Sequence, residues 1–298
     1  MNHVKATLSV CAVTLALSAA QPARAEEDGP GSGCEAAAGG ASAGRGKGVY
    51  TRETWPTQEI CRPLTLAKGL AEIRGDIFVN MSTNAVFQPF AIAPSAYYGI
   101  DDKLTVGVTT AEGLCLTGTS NGCAKVYNDL GFDALYSIQG GPMALAADAG
   151  IDLGSFDPFL LGIHAGVNGR YRQGQIAVVV NPRIYFGFTN RGQGVAAMPS
   201  GGPVNLNNET ISIPIEIHFQ ATPALEAFFR TGFGTPLEGI GPIGVGDLYN
   251  IPLGIGGLFA VSRMIDVGAS FTFINLAAHG SASATDFRAL DILVNFRL

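Results

Sequence analysis

Charge is scarce in this chain. Asp, Glu, Lys and Arg make up 14% of its 298 residues, whereas hydrophobic residues reach 47%. A soluble domain carries about 25% charged residues, so this composition points to a surface that largely faces lipid. Long apolar runs are missing as well. After the first 25 residues no stretch of 18 or more apolar residues occurs, which argues against a membrane-spanning helix and leaves a closed β-barrel as the way to span. Basic residues are outnumbered, 18 against 24 acidic, so a nucleic-acid partner is not expected. Metal-ligating patterns are absent: no C-x-x-C pair occurs and no histidine lies near the cysteines. Neither a metal nor any other cofactor is therefore expected. The Gly-rich stretch from Gly239 to Gly246 has no following Lys-Ser or Lys-Thr and no strand–helix frame, which excludes a phosphate-binding loop.

The N-terminus reads as an export signal. Lys5 supplies a positive start, Ala6 to Ala19 is a short apolar core, and Ala23-Arg24-Ala25 is a small-x-small cleavage site. Cleavage after Ala25 removes Lys5 and Arg24, leaving 16 basic against 24 acidic residues, a net charge of −8. Cys11 goes with the signal, and Cys34, Cys61, Cys115 and Cys123 remain. An even count in an exported chain favours disulfides. Of the three possible pairings, Cys115–Cys123 within one loop and Cys34–Cys61 near the N-terminus is the expected one, because the others would tie the N-terminal segment to a loop at the far end of a barrel. Residues 26–69 contain low-complexity Gly/Ala/Ser sequence and show no periodicity, so a flexible periplasmic extension is expected there.

From about Leu70 the chain alternates apolar and polar residues. Ile211, Ile213, Ile215, Ile217 and Phe219 interleave with Ser212, Pro214, Glu216 and His218. Leu104–Thr109, Ile265–Phe273 and Asp291–Leu298 keep the same two-residue beat, which is that of a strand with one apolar and one polar face. Twelve strands are expected, with cores near 71–81, 88–100, 103–110, 131–138, 143–152, 159–171, 176–188, 210–220, 224–233, 248–261, 264–273 and 288–298. Short turns at 101–102, 139–142, 172–175, 221–223 and 262–263 alternate with longer links at 111–130, 153–158, 189–209, 234–247 and 274–287. Pro94, Pro182, Pro214 and Pro252 fall inside these strands and require bulges or local breaks.

The signal, the dyad alternation, the turn–loop alternation and the final Phe296-Arg297-Leu298 strand resemble bacterial outer-membrane β-barrel proteins as a class, porin-like in plan. The resemblance covers residues 70–298 and implies an all-β, transmembrane, antiparallel up-and-down barrel of about twelve strands, in the outer membrane, with both barrel termini periplasmic. Outer-membrane lipids are the implied partners, with a small polar solute or ion as possible cargo.

With the apolar faces on lipid, the polar faces line the interior. Asp148, His164, Arg170, Arg183, Glu216, His218, Glu226 and Arg230 are the expected lumen-lining residues. Two readings follow. In the first, Arg170, Arg183 and Arg230 face Asp148, Glu216 and Glu226 across water and set ion preference in a channel. Alternatively, the same charges pair across neighbouring strands and fill a non-conducting structural or adhesive barrel. Tyr97, Tyr98, Tyr136, Tyr171, Phe186 and Phe188 stand near strand ends, as an interfacial girdle requires. An enzyme is not expected. The close pair His279 and Ser281, with Asp286 nearby, is the weak alternative of a lipid hydrolase at the rim.

Overall fold

The computed structural model describes residues 34, 50–82, 86–110, 113–121, 130–191, 207–237, 249–278 and 288–298. The expected signal, Cys123, and the trio His279, Ser281 and Asp286 lie outside the described residues.

Twelve long strands close into one antiparallel barrel. They are β1 Ala71–Asn80, β2 Phe90–Asp101, β3 Leu104–Thr109, β4 Leu130–Gln139, β5 Met143–Phe156 and β6 Phe159–Gln173. Next come β7, interrupted as Ile176–Val180 and Arg183–Gly187, β8 Thr210–Gln220 and β9 Leu225–Pro236. The chain finishes with β10 Asn250–Ala260, β11 Ile265–Ala278 and β12 Arg288–Arg297. Each strand pairs with the next in sequence, and β1 pairs with both β2 and β12, which closes the cylinder. Glu72 stands opposite Arg297, so the first and last strands meet with their termini at one end. The short turns are at that same end; the turn after β6 is only Gly174 and Gln175, and Gly174 takes φ +59°, a conformation that favours glycine.

The outer wall is apolar. Ile255 (64% exposed), Met143, Phe188, Ile151, Phe259 and Phe296 all point outwards. Tyr98, Tyr136 and Tyr171 are exposed near the short-turn end, and Phe156, Phe159 and Phe188 near the other. Tyr97 departs from the expected girdle. It points inwards, where Arg74 sits 4.5 Å above its ring, because it is one residue out of phase with the outward Tyr98. An outer wall of this kind belongs in lipid. Substituting arginine for Ile255, midway along β10, is expected to destabilise the barrel by about 2–4 kcal/mol in a bilayer. Urea titration of folding into phospholipid vesicles measures this loss.

The prolines sit where the ladder can spare them. Pro182 lies in the break of β7, and Pro214 of β8 faces that break, its carbonyl accepting from the Asn181 amide at 3.0 Å. Two missing donors thus share one gap. Pro252 occupies the register shift between Ile251 and Leu253. Pro94 lies beyond the end of the β2–β3 ladder, where its carbonyl accepts from Thr110 Oγ1 at 2.6 Å.

Two expectations need correction. The 153–158 link is not long: β5 and β6 run on to Phe156 and from Phe159, leaving two turn residues. Gly154 and Ser155 have loop-like composition, yet the register shift between Leu153 and Ser155 absorbs them as a bulge. The second concerns the extension. Residues 50–69 are not a free tail but are packed inside the short-turn end of the barrel. Trp55, Ile60, Cys61, Arg62, Thr65, Leu66, Ala67 and Leu70 are all buried. The physical reason is that small inward residues, including Ala146 and Ala177 at 0% exposure, leave space that a second layer of side chains fills.

Candidate functional site: the barrel interior

The segment 50–70 spans the barrel mouth as a stopper. Its C-terminal half is stitched to the β2–β3 corner. Leu66 N–H donates to Thr105 Oγ1 at 2.8 Å, Thr65 Oγ1 donates to the Asp102 carbonyl at 2.9 Å, and Lys68 N–H donates to Asp102 Oδ1 at 3.1 Å. Gly99, on the inner face of β2, makes this approach possible, because a Cβ there would lie 2.1 Å from the Ala67 carbonyl oxygen. At the opposite side Ile60, Cys61 and Cys34 pack on Ala177 of β7. Cys34 and Cys61 form a disulfide, as expected from the sequence. Cys115 is disulfide-bonded too. The Cys34–Cys61 bridge joins the N-terminal segment to itself, so among the described residues only non-covalent contacts hold the stopper to the wall, apart from its continuation into β1.

The centre of the stopper is ionic. Arg62 Nη1 and Nη2 donate to Asp266 Oδ2 and Oδ1, each at 2.8 Å. Glu59 pairs with the same guanidinium. Asp266 also pairs with Arg297 at 2.6 Å, and Arg297 with Glu72 at 2.6 Å. Burial disfavours the Arg62 charge, but the Glu59 and Asp266 carboxylates outweigh it and raise its pKa above the ordinary guanidinium value.

Beyond the stopper the wall carries two charge clusters. On β4–β7, Arg183 Nε lies 2.5 Å from Asp148 Oδ2, and His164 lies 2.8 Å from Asp152, 3.5 Å from Asp133 and 3.8 Å from Asp148. On β8–β9, Arg230 pairs with Glu216 at 2.6 Å, and His218 lies 2.7 Å from Glu226 and 3.2 Å from Glu216. Arg170 joins neither cluster. His164 and His218 belong to separate clusters, β7 lying between their strands. Arg183 and Arg230 therefore contact their carboxylates directly instead of facing them across water. Strand register is the reason: Glu216 stands opposite Arg230, and Asp148 and Arg183 share a rung with Gly166 between them. A cavity of about 340 Å³ remains, lined by Trp55 and Arg62 of the stopper and by Arg74, Asp76, Asp133 and Asp148 of the wall, among others.

The other mouth is narrowed by loop ends that turn inwards. Leu114–Cys115 pairs with Ala91 and Ile92, and Cys115 packs against Phe78, Ala91 and Ala289. Asn207 is 1% exposed and accepts from Tyr185 O–H at 2.6 Å.

Sequence reasoning missed the stopper and its Arg62–Asp266 contact. Trp55, Ile60, Leu64, Leu66 and Leu70 were a usable signal, since they end the small-residue composition of residues 31–48. Asp152 was missed because it falls at the end of the expected strand core.

No protein-family model and no curated protein matches the sequence. In shape the chain is similar to several outer-membrane proteins. One is the KdgM porin in complex with disordered oligogalacturonate, at 8% identity and TM-score 0.48, with 76% of this chain and 98% of that chain covered. OmpF of Salmonella typhi, in complex with daunomycin, aligns over 77% of this chain and 96% of its own at 8% identity and TM-score 0.42. The outer membrane protein Omp33 of Acinetobacter baumannii aligns over 78% and 99% at 12% identity and TM-score 0.41. These likenesses are in shape alone, and the closed barrel of this chain stands on its own strand pairing.

Proposed function

We propose that this chain is a porin-like barrel of the bacterial outer membrane, exported with cleavage of residues 1–25. It passes small polar solutes or ions when the segment 50–70 moves aside. The supporting observation is the combination of a charged interior cavity with a stopper that no disulfide ties to the wall. In this reading the termini and the stopper face the periplasm and the long links face outwards, the usual arrangement of short turns and long loops. The inner charges, Asp148, His164, Arg170, Arg183, Glu216, His218, Glu226 and Arg230, give the lumen its ion preference. The chemistry needed is binding and passage, not catalysis.

A second reading has its own support. Arg183–Asp148 and Arg230–Glu216 neutralise one another at contact distance, as in a structural barrel that conducts nothing. Liposome swelling separates the two. Vesicles holding residues 26–298 are expected to admit small sugars slowly, and a variant lacking residues 26–66 to admit them at least several-fold faster. A folded variant whose vesicles stay impermeable supports the non-conducting barrel.

A further inference from the structure

Four side chains converge over one glycine of the inner wall. Asp133, Gly150 and His164 stand on a single rung across β4, β5 and β6. Asp148 and Asp152 flank Gly150 by two residues along β5, so the period of two puts both carboxylates on the same face. A Cβ at position 150 would lie 2.4 Å from His164 Cε1 and 2.7 Å from Asp133 Oδ1. Only glycine leaves the imidazole and this carboxylate room to meet there.

The imidazole is 8% exposed and held at both ends by acid. Its Nδ1 lies 2.8 Å from Asp152 Oδ2. A carboxylate accepts, so Nδ1 carries the hydrogen, and Nε2 offers a lone pair to an ion once its own proton is lost. That Nε2 is buried without a hydrogen-bond partner, and so is Asp133 Oδ1, 3.5 Å away. Asp148 Oδ1 stands 3.8 Å from Nε2. These separations are long for N–H···O bonds. They suit donor atoms about 2.0–2.2 Å from a shared ion, which lie about 3.4 Å apart in tetrahedral geometry. A ligating histidine that gives its other N–H to a carboxylate is the usual second-layer arrangement. Charge agrees: with neutral His164, three carboxylates against the Arg183 guanidinium leave two negative charges. The cavity wall includes Asp133 and Asp148, which gives an ion a path.

We propose that His164, Asp133 and Asp152, whose donor atoms lie within 4.8 Å of one another, bind a divalent transition-metal ion, with Asp152 also orienting the imidazole. Imidazole with carboxylates suits Zn²⁺ or Mn²⁺ better than Ca²⁺. The inference is independent of conduction.

The test uses residues 26–298 refolded in detergent, stripped with a chelator and titrated with Zn²⁺ alone and then Mn²⁺ alone. One ion per chain is expected after desalting. Asp152→Asn should weaken binding about 10–100-fold, and His164→Gln or Asp133→Asn should abolish it, with heat-modifiable migration confirming folded variants. Imidazole NMR of the unsubstituted chain requires no folded site variant. Zn²⁺ should shift one histidine's ring signals, identified as His164 by spectra of His218→Gln and His279→Gln. Less than one ion per chain, unchanged binding by folded His164→Gln, or a Zn²⁺ shift at another histidine would overturn the site. In the first case, the cluster is a protonated imidazole among acids.

Discussion

Replacing Asp266 with alanine is expected to lower folding stability by about 3–5 kcal/mol, the loss that follows when a buried ion pair is stripped of one partner. Asp266 is 0% exposed and receives two hydrogen bonds from Arg62 and an ion pair from Arg297. Alanine leaves two buried guanidinium groups with only Glu59 and Glu72 to compensate them. Asp266→Asn keeps the shape and one carbonyl acceptor but drops the charge, so its loss should fall between wild type and alanine. Urea unfolding in detergent micelles, followed by tryptophan emission, measures the series. Trp55 is the chain's single tryptophan, and it is buried in the stopper beside Arg297. Its emission should shift red in D266A at denaturant concentrations where the β signal is still intact, because the stopper leaves before the barrel unfolds. Equal stability of D266A and wild type would mean that the ionic centre does not hold the stopper.

Gly99→Val acts on the same element from the wall. The Cβ alone would lie 2.1 Å from the Ala67 carbonyl oxygen and 2.9 Å from Ala67 C and the Leu66 carbonyl oxygen. Those are backbone atoms and cannot rotate away, so the segment must move. Overpacking of this kind costs about 1–3 kcal/mol. A penalty that falls on the closed form alone shifts the closed-to-open ratio by about 5–150-fold. Gly99 pairs with Thr105 in the β2–β3 ladder, and valine suits a strand, so the barrel itself should persist. The expected result is a more permeable barrel with near-native β content.

Much of the architecture was legible because a closed barrel writes its geometry into period two. Ile211 to Phe219 could form only a strand with one greasy face, and that face is on the outside. The tightness of the β5–β6 connection was not legible, because Gly154, Ser155, Asp157 and Pro158 have the composition of a loop and a bulge of the same composition looks identical in sequence. The stopper was hidden for another reason. Its fold has no period: a short 3₁₀ turn over Glu59–Cys61 and extended backbone are fixed by contacts to distant wall positions such as Asp266, Thr105 and Gly99. The individual inner charges were visible, but their pairing depends on register. Glu216 opposite Arg230 follows from a correctly aligned hairpin, whereas Asp148 reaches Arg183 across Gly166 of β6 only when three strands are aligned on one rung.

The central claim is a porin-like barrel closed from within by residues 50–70, and single-channel current in planar bilayers tests it most directly. Residues 26–298 should give rare, brief, salt-dependent steps, and Gly99→Val should give steps of the same ion preference that are more frequent and longer-lived. Silence from both folded proteins would contradict the account, and so would identical open probability in the two.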